Sequence, residues 1–382
     1  MQISIIRLNN VYMDNKYKFR YIDLFAGIGG FHQAMSSAGG KCVFASEIDK
    51  NARASYEANY KADSPWLFAD GYKYFNEDIN NIKDPGKEIP DFDVVCGGFP
   101  CQPFSIAGLR KGFTDTRGTL FFNIANIVNA KKAEGHAPKV LLLENVKGLK
   151  NHDKGKTLKV ILETLDELGY NVDFRVLNAK YFGVPQNRER LFIVCWDKKQ
   201  IDVDKFEFPY GLNNDLQPIF DKDEAKENCI KTHVSDIFEP KRLLLPKYTI
   251  SDRMWEGHQR RKERNKANGK GFGYSLFTDD SIYCRTISAR YWKDGSEILI
   301  AQPGKNPRKL TPVEAGRLQG YKIIGNGWEN KECENNQNNN SSNQEFKIVV
   351  SEKEAFRQFG NSVAVPVVKT LAKEIVKQLL KK

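Results

Sequence analysis

The stretch YIDLFAGIGGF, residues 21–31, decides the fold of this chain. An apolar, strand-like run passes directly into a glycine-rich turn and then into a segment whose apolar residues recur at helical spacing. Glycine permits a tight turn and lets the backbone approach a ligand closely. The spacing differs from the GxGxxG of dinucleotide-binding enzymes, and a plain strand-to-helix turn is the alternative. The candidate ligand-binding turn comprises Gly27, Gly29 and Gly30.

The same rhythm continues along the chain. Further strand-like runs are KCVFASEID (41–49), FDVVCGGFP (92–100), KVLLLENV (139–146), YNVDFRVLNA (170–179) and RLFIVCW (190–196). Helical spacing occupies residues 30–38, 50–60, 119–133 and 155–168, and an amphipathic helix is expected over 367–382. This alternation predicts an α/β fold in which helices cover a mostly parallel sheet.

The alternation stops after Trp196, and the polarity becomes irregular, with scattered prolines and a basic run, HQRRKERNKANGK (258–270). A second, smaller and irregular domain is therefore expected. Residues 334–344, ENNQNNNSSNQ, are of low complexity and predict a solvated loop. The predicted boundaries are 1–195 plus 355–382 for the α/β domain and 196–354 for the second domain.

The amino-acid composition indicates what kind of molecule the protein binds. The 382 residues carry 59 Lys and Arg against 48 Asp and Glu, a net charge of +11 that suits a polyanion such as nucleic acid. The seven cysteines are spaced singly, and neither a secretory leader nor an apolar run of about 18 residues is visible. We expect a soluble cytoplasmic protein. No metal site is expected, because the histidines are isolated and Cys229 with His233 lacks two further ligands.

An acidic residue follows the second strand. Glu47 stands where a carboxylate accepts hydrogen bonds from ribose hydroxyls, so together with the glycine turn it indicates an adenosine-containing ligand. Asp78 is the preferred acceptor for an adenine amine, and Asp70 is the competing candidate.

The segment GGFPCQPFS, residues 97–105, places Cys101 between two prolines at the end of an apolar strand. A structural cysteine would sit inside the strand, as Cys96 does in this prediction. A free thiol has a pKa of about 8.5, so a nucleophilic cysteine needs a nearby cation or helix start to form its thiolate. Cys101 is the candidate nucleophile.

Glu144 ends the most apolar strand and emerges at the same sheet edge. It is a candidate acid for bonding a substrate ring, with a helix cap or a salt bridge as the alternatives. Arg188 and Arg190 lie on the same side of an extended segment and are candidates for holding a phosphate or a ring oxygen. A surface ion pair with Glu189 is the other interpretation.

These residues resemble the bacterial DNA cytosine-5 methyltransferases of restriction-modification systems over nearly the whole chain. Nine blocks occur in the family's order: DLFAGIGGF (23–31), Glu47, EDI (77–79), GGFPCQPFS (97–105), TRGTLFF (116–122), ENV (144–146), QNRER (186–190), RKLTPVEAGRLQGY (308–321) and RQFGNSVAVPVV (357–368). The resemblance implies a Rossmann-like S-adenosylmethionine-dependent methyltransferase fold with a target-recognition domain.

The resemblance also implies a cofactor pocket for S-adenosylmethionine. Besides the glycine turn, its expected residues are Phe25, Glu47, Ile48, Asp78, Pro100, Leu120, Asn361 and Ser362. Ile48 departs from the family, in which some members carry a tryptophan against the adenine. The Asn-rich segment 334–344 is a second departure.

The implied chemistry acts on a cytosine flipped out of the duplex. Cys101 adds to C6, Glu144 bonds N3 and the exocyclic amine, and Arg188 steadies the adduct near O2, with Arg190 as a further catalytic candidate. Residues 105–118 resemble the loop that closes over the base. The methyl group then moves to C5, and loss of the C5 proton releases the cysteine.

Residues 197–307 occupy the family's target-recognition position. The basic run there neutralises phosphates in this interpretation, and a solvated helix face is the alternative. Arg285-Thr286-Ile287 resembles the family's Thr-Leu pair near the flipped base, and the wider segment resembles domains that recognise symmetric sites beginning CC, such as CCNGG, CCWGG or CCGG. The expected DNA contacts are Gln102, Ser105, Arg260, Arg261, Arg285 and Thr286.

Double-stranded DNA is therefore the expected partner of a monomeric, nucleoid-associated bacterial enzyme. A restriction endonuclease acting on the same site without a stable complex is a further possible partner. The competing functions are a tRNA cytosine-5 methyltransferase, disfavoured by the size of segment 197–307, and a regulatory subunit without catalysis, disfavoured because Cys101 and Glu144 are both present.

Overall fold

The computed structural model describes residues 16–100, 120–203, 205–323 and 345–381. Its contacts divide the chain into two compact units. The first unit comprises the described residues of Met1–Leu177, Glu189–Phe208 and Val368–Lys382, and the second unit those of Asn178–Arg188 and Pro209–Val367. The assignment of catalysis to residues 1–195 plus 355–382 and of recognition to 196–354 concerns function and stays a prediction.

A seven-stranded sheet forms the centre of the first unit. Its strands are β1 (Phe19–Leu24), β2 (Gly40–Ser46), β3 (Phe75–Asn76), β4 (Val94–Gly98), β5 (Val140–Val146), β6 (Tyr170–Asn178) and β8 (Glu189–Asp197), in the spatial order β3-β2-β1-β4-β5-β8-β6. The pairs from β3 to β5 are all parallel, whereas β8 runs antiparallel to β5. The expected mostly parallel α/β sheet is confirmed.

The reversed strand has a simple physical reason. A parallel pair needs a crossover connection of about a dozen residues or more, usually a helix. The connection from β6 to β8 is shorter than that and contains only a helical turn, Ala179–Tyr181, and the two-residue strand β7 (Gln186–Asn187). The chain therefore returns without crossing the sheet.

Helices of the first unit bury one apolar face against the sheet. They are α1 (Gly30–Ser37), α2 (Lys50–Tyr60), α3 (Pro85–Glu88), α4 (Leu120–Ala133) and α5 (Lys156–Glu167), and α10 (Val365–Leu379) continues into this unit from the second. The helical spacing seen in the sequence matches these bounds closely. The buried core includes Leu24, Val95, Leu141, Ile161 and Ile193.

The second unit consists of short elements. Its helices are α6 (Lys222–Asn228), α7 (Asp252–Ala267), α8 (Pro312–Leu318) and α9 (Glu352–Asn361). Its strands beyond β7 are β9 (Gly211–Leu212), β10 (Pro218–Ile219), β11 (Leu276–Phe277), β12 (Cys284–Arg285), β13 (Leu299–Gln302) and β14 (Lys305–Arg308). They form a two-stranded sheet of β9 and β10, a three-stranded sheet β11-β13-β14 and a parallel pair of β7 with β12.

A buried ion pair stabilises the RKLTPVEAGRLQGY segment of the second unit. Arg308 donates two hydrogen bonds to the carboxylate of Glu314, at 2.7 and 3.0 Å. Glu314 also accepts from the backbone N–H of Thr311, whose hydroxyl in turn caps α8. Every partner is thus satisfied locally, which is the condition under which a buried ion pair is tolerated. Among the described residues, no helix is both long and apolar enough to cross a bilayer.

Candidate active site

The turn between β1 and α1 has a special backbone. Phe25, although not a glycine, has a φ of 56°, and Gly27 and Gly29 have φ values of 55° and 82°. Non-glycine residues in this region are strained, and such strain clusters at functional sites. A Cβ on Gly27 would meet no atom within 4 Å, whereas one on Gly29 would collide with the ring of Tyr60. Gly29 is thus required for packing, and Gly27 leaves open space at the turn.

Glu47 faces this turn from the end of β2. Its carboxylate accepts hydrogen bonds from the backbone N–H of Gly27 at 2.8 Å and of Asp49 at 2.7 Å. Burial raises the pKa of Glu47, and the two N–H groups act in the opposite direction by favouring the charged form. Because β1 and β2 are parallel neighbours, their carboxyl ends bring the glycine turn and Glu47 to one edge of the sheet.

The remaining cofactor candidates of the first unit differ in exposure. The side chain of Ile48 is 67% exposed beside Glu47, so it offers an apolar surface to solvent. Asp78 follows β3 and caps the helical turn Ile79–Asn81 through a hydrogen bond from the N–H of Asn80. Asp70 is exposed in a left-handed turn conformation, with φ of 50°. Pro100 is exposed, and Leu120 is half-buried against the core.

This arrangement fits a nucleoside. A carboxylate beside open space suits ribose hydroxyls, and an exposed apolar side chain suits the face of a base. No group of three or more His, Cys, Asp or Glu side chains in the described ranges is placed to hold a metal ion.

The ends of β4 and β5 form the second part of the site. Glu144 pairs in register with Gly98, three residues before Cys101 along the chain. The Nε of Arg190, at the start of β8, lies 3.1 Å from Oε1 of Glu144, and both side chains are largely buried. Burial lowers the pKa of Arg190, and the carboxylate of Glu144 opposes that shift. The pair gives Glu144 a fixed orientation at the sheet edge.

Two glycines of β4 allow the Glu144 side chain and strand β1 to lie close to β4. A Cβ on Gly98 would lie 2.9 Å from Oε2 of Glu144, and a Cβ on Gly97 would lie 2.5 Å from the backbone oxygen of Leu24 in β1. Asn145 connects β5 to the residue that follows β4, because its side-chain amide donates a hydrogen bond to the carbonyl oxygen of Phe99 at 2.8 Å. Sequence reasoning did not select Gly98 or Asn145 as site residues. The available signal was a Gly-Gly pair inside a strand, which often marks a close approach of another group.

The predicted nucleophile Cys101 and the predicted DNA contacts Gln102 and Ser105 lie outside the described residues, as does the predicted closing loop, residues 105–118. The described chain leads up to Cys101 from Pro100 and resumes at Leu120.

Asp23 is a buried acid that the sequence analysis did not single out. Its side chain is fully buried at the end of β1, where the backbone of His32 and the hydroxyl of Tyr56 are close enough to offset part of the effect of burial on its pKa. Burial raises the pKa of Asp23 well above its usual range, and the nearby charge of Glu47 adds to the effect. The folded protein therefore holds this proton more tightly than the unfolded chain does.

This difference predicts the pH dependence of stability. The raised pKa means that the free energy of unfolding falls as pH rises from the unfolded-state value through the folded-state value. We expect Asp23→Asn to remove this fall and to be more stable than the parent at pH 8, because each unit by which folding raises the pKa of Asp23 lowers the parent's free energy of unfolding there by about 1.4 kcal/mol. The gain should vanish below pH 4. Urea unfolding at both pH values measures it, with exposed Asp63→Asn as the control; parallel stability curves for parent and Asp23→Asn would contradict the assignment.

Comparison with known proteins identifies the family. The family model described as C-5 cytosine-specific DNA methylase matches residues 19–377. The chain belongs to this family. It is therefore a methyltransferase that acts at C5 of cytosine in DNA.

Relatives of this methylase are similar along most of their length. The Type II methyltransferase M.NlaX of Neisseria lactamica is 48% identical over 361 residues, covering 94% of this chain and 96% of that protein. The Type II methyltransferase M1.ScrFI of Lactococcus lactis subsp. cremoris is 47% identical, with coverages of 95% and 79%. The crystal structure of S. pombe Dnmt2 methyltransferase aligns with a TM-score of 0.65 at 20% identity over 95% of this chain and 99% of that one, which shows a shared fold.

The two arginines of QNRER have different surroundings in the methylase. Arg190 belongs to the first unit and contacts Glu144. Arg188 belongs to the second unit, is 2% exposed, and donates to the backbone carbonyls of Ile287, Gly360 and Ser362. The guanidinium of Arg188 thus connects backbone segments of the second unit. These hydrogen bonds do not favour the contact between Arg188 and O2 of cytosine that the sequence suggested. Asn361 and Ser362 also belong to the second unit, so their role at the cofactor stays a prediction.

The predicted DNA contacts of the second unit also differ from one another. Arg260 is exposed on α7 and lies 3.3 Å from Glu256 one turn earlier. Arg261 instead donates to the carbonyl of Gly273 and to the carboxylate of Asp294, so it fastens α7 to two loops. Of the two, Arg260 is better placed for a phosphate.

Proposed function

We propose that this methylase transfers a methyl group from S-adenosylmethionine to C5 of a cytosine flipped out of duplex DNA, with Cys101 as the nucleophile. The observation that carries the proposal is the position of Glu144, which is paired with Arg190 and stands opposite Gly98 at the strand end that leads to Cys101. Parallel α/β sheets place reacting groups at this edge.

The first unit supplies the proposed cofactor contacts. Glu47 accepts from the ribose hydroxyls, the side chain of Ile48 covers one face of the adenine, and Asp78 accepts from its amine. Phe25 and Gly27 shape the turn beside them, joined by Gly29, Gly30, Pro100 and Leu120. Asn361 and Ser362, which the resemblance also implies, belong to the second unit and stay a separate prediction. When bound, S-adenosylmethionine supplies an electrophilic methyl group on a sulfonium sulfur.

The chain's own side chains then perform the remaining chemistry. The thiolate of Cys101 adds to C6 and makes C5 electron-rich, because the electron pair of the C5–C6 bond moves toward C5. Glu144 bonds N3 and the exocyclic amine, which stabilises the charge that develops in the ring. Arg190 holds the carboxyl of Glu144 in place, and we assign to Arg190 the contact near O2 that the sequence suggested for Arg188. After methylation, loss of the C5 proton restores the double bond and expels Cys101.

The contacts of Glu47 yield a binding prediction. We expect Glu47→Gln to weaken binding of S-adenosylhomocysteine about 10- to 100-fold, because hydrogen bonds to a charged acceptor contribute about 1.5–3 kcal/mol. Isothermal titration calorimetry measures the dissociation constant. Glu163→Gln, on the exposed face of α5, is the matched control and should bind normally. An unchanged dissociation constant in Glu47→Gln would remove this residue from the cofactor site.

Further proposals concern the partners. We infer that residues 1–195 plus 355–382 carry catalysis and that 196–354 carry recognition of a short symmetric site beginning CC, with the methylase acting as a monomer in the bacterial cytoplasm beside a restriction endonuclease of the same specificity. The similarity to Type II methyltransferases supports this and disfavours tRNA as the substrate.

The experiment that distinguishes the two candidate substrates supplies both duplex DNA and tRNA. Purified protein with radiolabelled S-adenosylmethionine should label duplex DNA and leave tRNA unlabelled. Bisulfite sequencing of DNA from an expressing host should then show methylation within CC-starting sites. Label in tRNA would overturn the substrate, and methylation in an unrelated context would overturn the recognition site.

A further inference from the structure

The segment around the short strand β12 displays two side chains at the surface of the second unit. Tyr283, just before β12, and Arg285, within it, are exposed, whereas Cys284 between them is buried. Residues two apart in an extended segment lie on the same side of it, so Tyr283 and Arg285 share the side opposite Cys284.

The backbone that carries these side chains is held by β7. β12 pairs in parallel register with β7, so that Arg285 lies opposite Asn187. The hydroxyl of Thr286 donates to the carbonyl of Asn187 at 2.7 Å, and the N–H of Ile287 donates to the side-chain oxygen of Gln186 at 3.1 Å. Gln186 itself is fully buried and donates to the carbonyl of Leu318. The backbone at Arg285 is thus held in place by its contacts with β7.

An aromatic ring supports each of two cations at this face. The guanidinium of Arg285 lies 5.0 Å from the centre of the Phe272 ring, and the ammonium of Lys180 lies 4.3 Å from that of Tyr283. Phe272 is itself 38% exposed, so the ring is presented to solvent together with the arginine. A cation–π contact with a ring restrains the guanidinium group while its N–H groups can still donate to another partner.

We propose that Arg285, held over Phe272, determines specificity by donating two hydrogen bonds to O6 and N7 of one guanine in the recognised DNA sequence. An arginine fork matches these two acceptors in the major groove, and such a pair discriminates against other bases. Arg260, on a solvated helix and beside Glu256, lacks a comparable support and suits a phosphate. The inference rests on the proposed function, because it requires duplex DNA as the substrate.

The test uses 7-deazaguanine, which pairs normally but lacks the N7 acceptor. It replaces each guanine of the methylated site in turn, and kcat/KM is measured for each duplex. At one position the parent enzyme should lose roughly 10- to 150-fold, the range for one hydrogen bond that involves a charged group. Arg285→Ala should be slower on unmodified DNA by a similar factor and should show no further loss at that position, while the losses at other guanines remain.

Two further variants keep the test decisive. Phe272→Leu retains Arg285 but removes the ring, so we expect an intermediate loss at the same guanine; it also serves if Arg285→Ala does not fold. Arg260→Ala should slow methylation equally on every duplex and should reduce the salt dependence of DNA binding. If Arg285→Ala behaves like Arg260→Ala, or keeps the parent's loss at every guanine, the proposal is overturned. If the parent does not methylate the unmodified duplex, the proposed function fails instead.

Discussion

Cys101→Ser is expected to lower kcat for DNA methylation by at least about 10⁴-fold, since removal of an enzyme's nucleophile typically costs this much or more. The hydroxyl of serine does not ionise near neutral pH, so it does not form the adduct at C6 that makes C5 reactive. Transfer of radiolabel from S-adenosylmethionine to a duplex with one target site measures the effect.

The Cys101→Ser variant should still bind its ligands. We expect Cys101→Ser to bind S-adenosylhomocysteine and duplex DNA with affinities near those of the parent, which separates loss of chemistry from loss of folding. Cys229→Ser is the control, because Cys229 is buried against Ile219 and Ala225 in the second unit, outside the proposed site. Methylation by Cys101→Ser within tenfold of the parent rate would exclude covalent catalysis by Cys101.

Glu144→Gln is expected to lower kcat about 10²- to 10⁴-fold, the usual contribution of a positioned acid or base. The amide has nearly the shape of the carboxyl, and its oxygen still accepts a hydrogen bond from Arg190, so the local structure is retained. What is lost is the negative charge and the ability to hold a proton at N3. Single-turnover methylation with saturating cofactor measures this step without product release.

The neighbouring acid provides a matched control for Glu144. Glu189 lies next to Arg190 in sequence and forms an ion pair with Lys147 at 2.8 Å, but both side chains are substantially exposed. Since an exposed pair contributes at most about 1 kcal/mol, Glu189→Gln should leave the rate nearly unchanged. Equal rates for Glu144→Gln and the parent, or equal losses in the two variants, would show that Glu144 takes no part in the chemistry.

The positions of the acidic residues at strand ends were predictable from the sequence. Glu47 and Glu144 each end an apolar run, and parallel strands bring such ends to one edge, so their place at the edge follows from the strand pattern alone. The bounds of α1 and α2 were equally readable, because helical spacing begins at a glycine turn in one case and at the capping residue Asp49 in the other.

The partners of the arginines were not predictable in the same way. Arg188 and Arg190 are two residues apart, and alternation along an extended segment placed them together. Arg188 falls between β7 and β8, and its three acceptors come from residues about 100 to 170 positions later in the chain. Arg261 likewise takes its acceptors from loops at 273 and 294. Long-range hydrogen bonds of this kind leave no periodic signal in the sequence.

The absence of a side chain at Gly97 has a consequence for the rate of reaction. Because no methyl group stands between β4 and the carbonyl of Leu24, the two strands approach fully, and the loops that leave them begin side by side. In the proposed mechanism one loop carries the methyl donor and the other the attacking sulfur, and rates fall steeply when reacting groups are displaced by about 1 Å. In that mechanism the starting points of both loops therefore depend on how closely β1 and β4 approach inside the sheet, and a side chain at position 97 would push them apart.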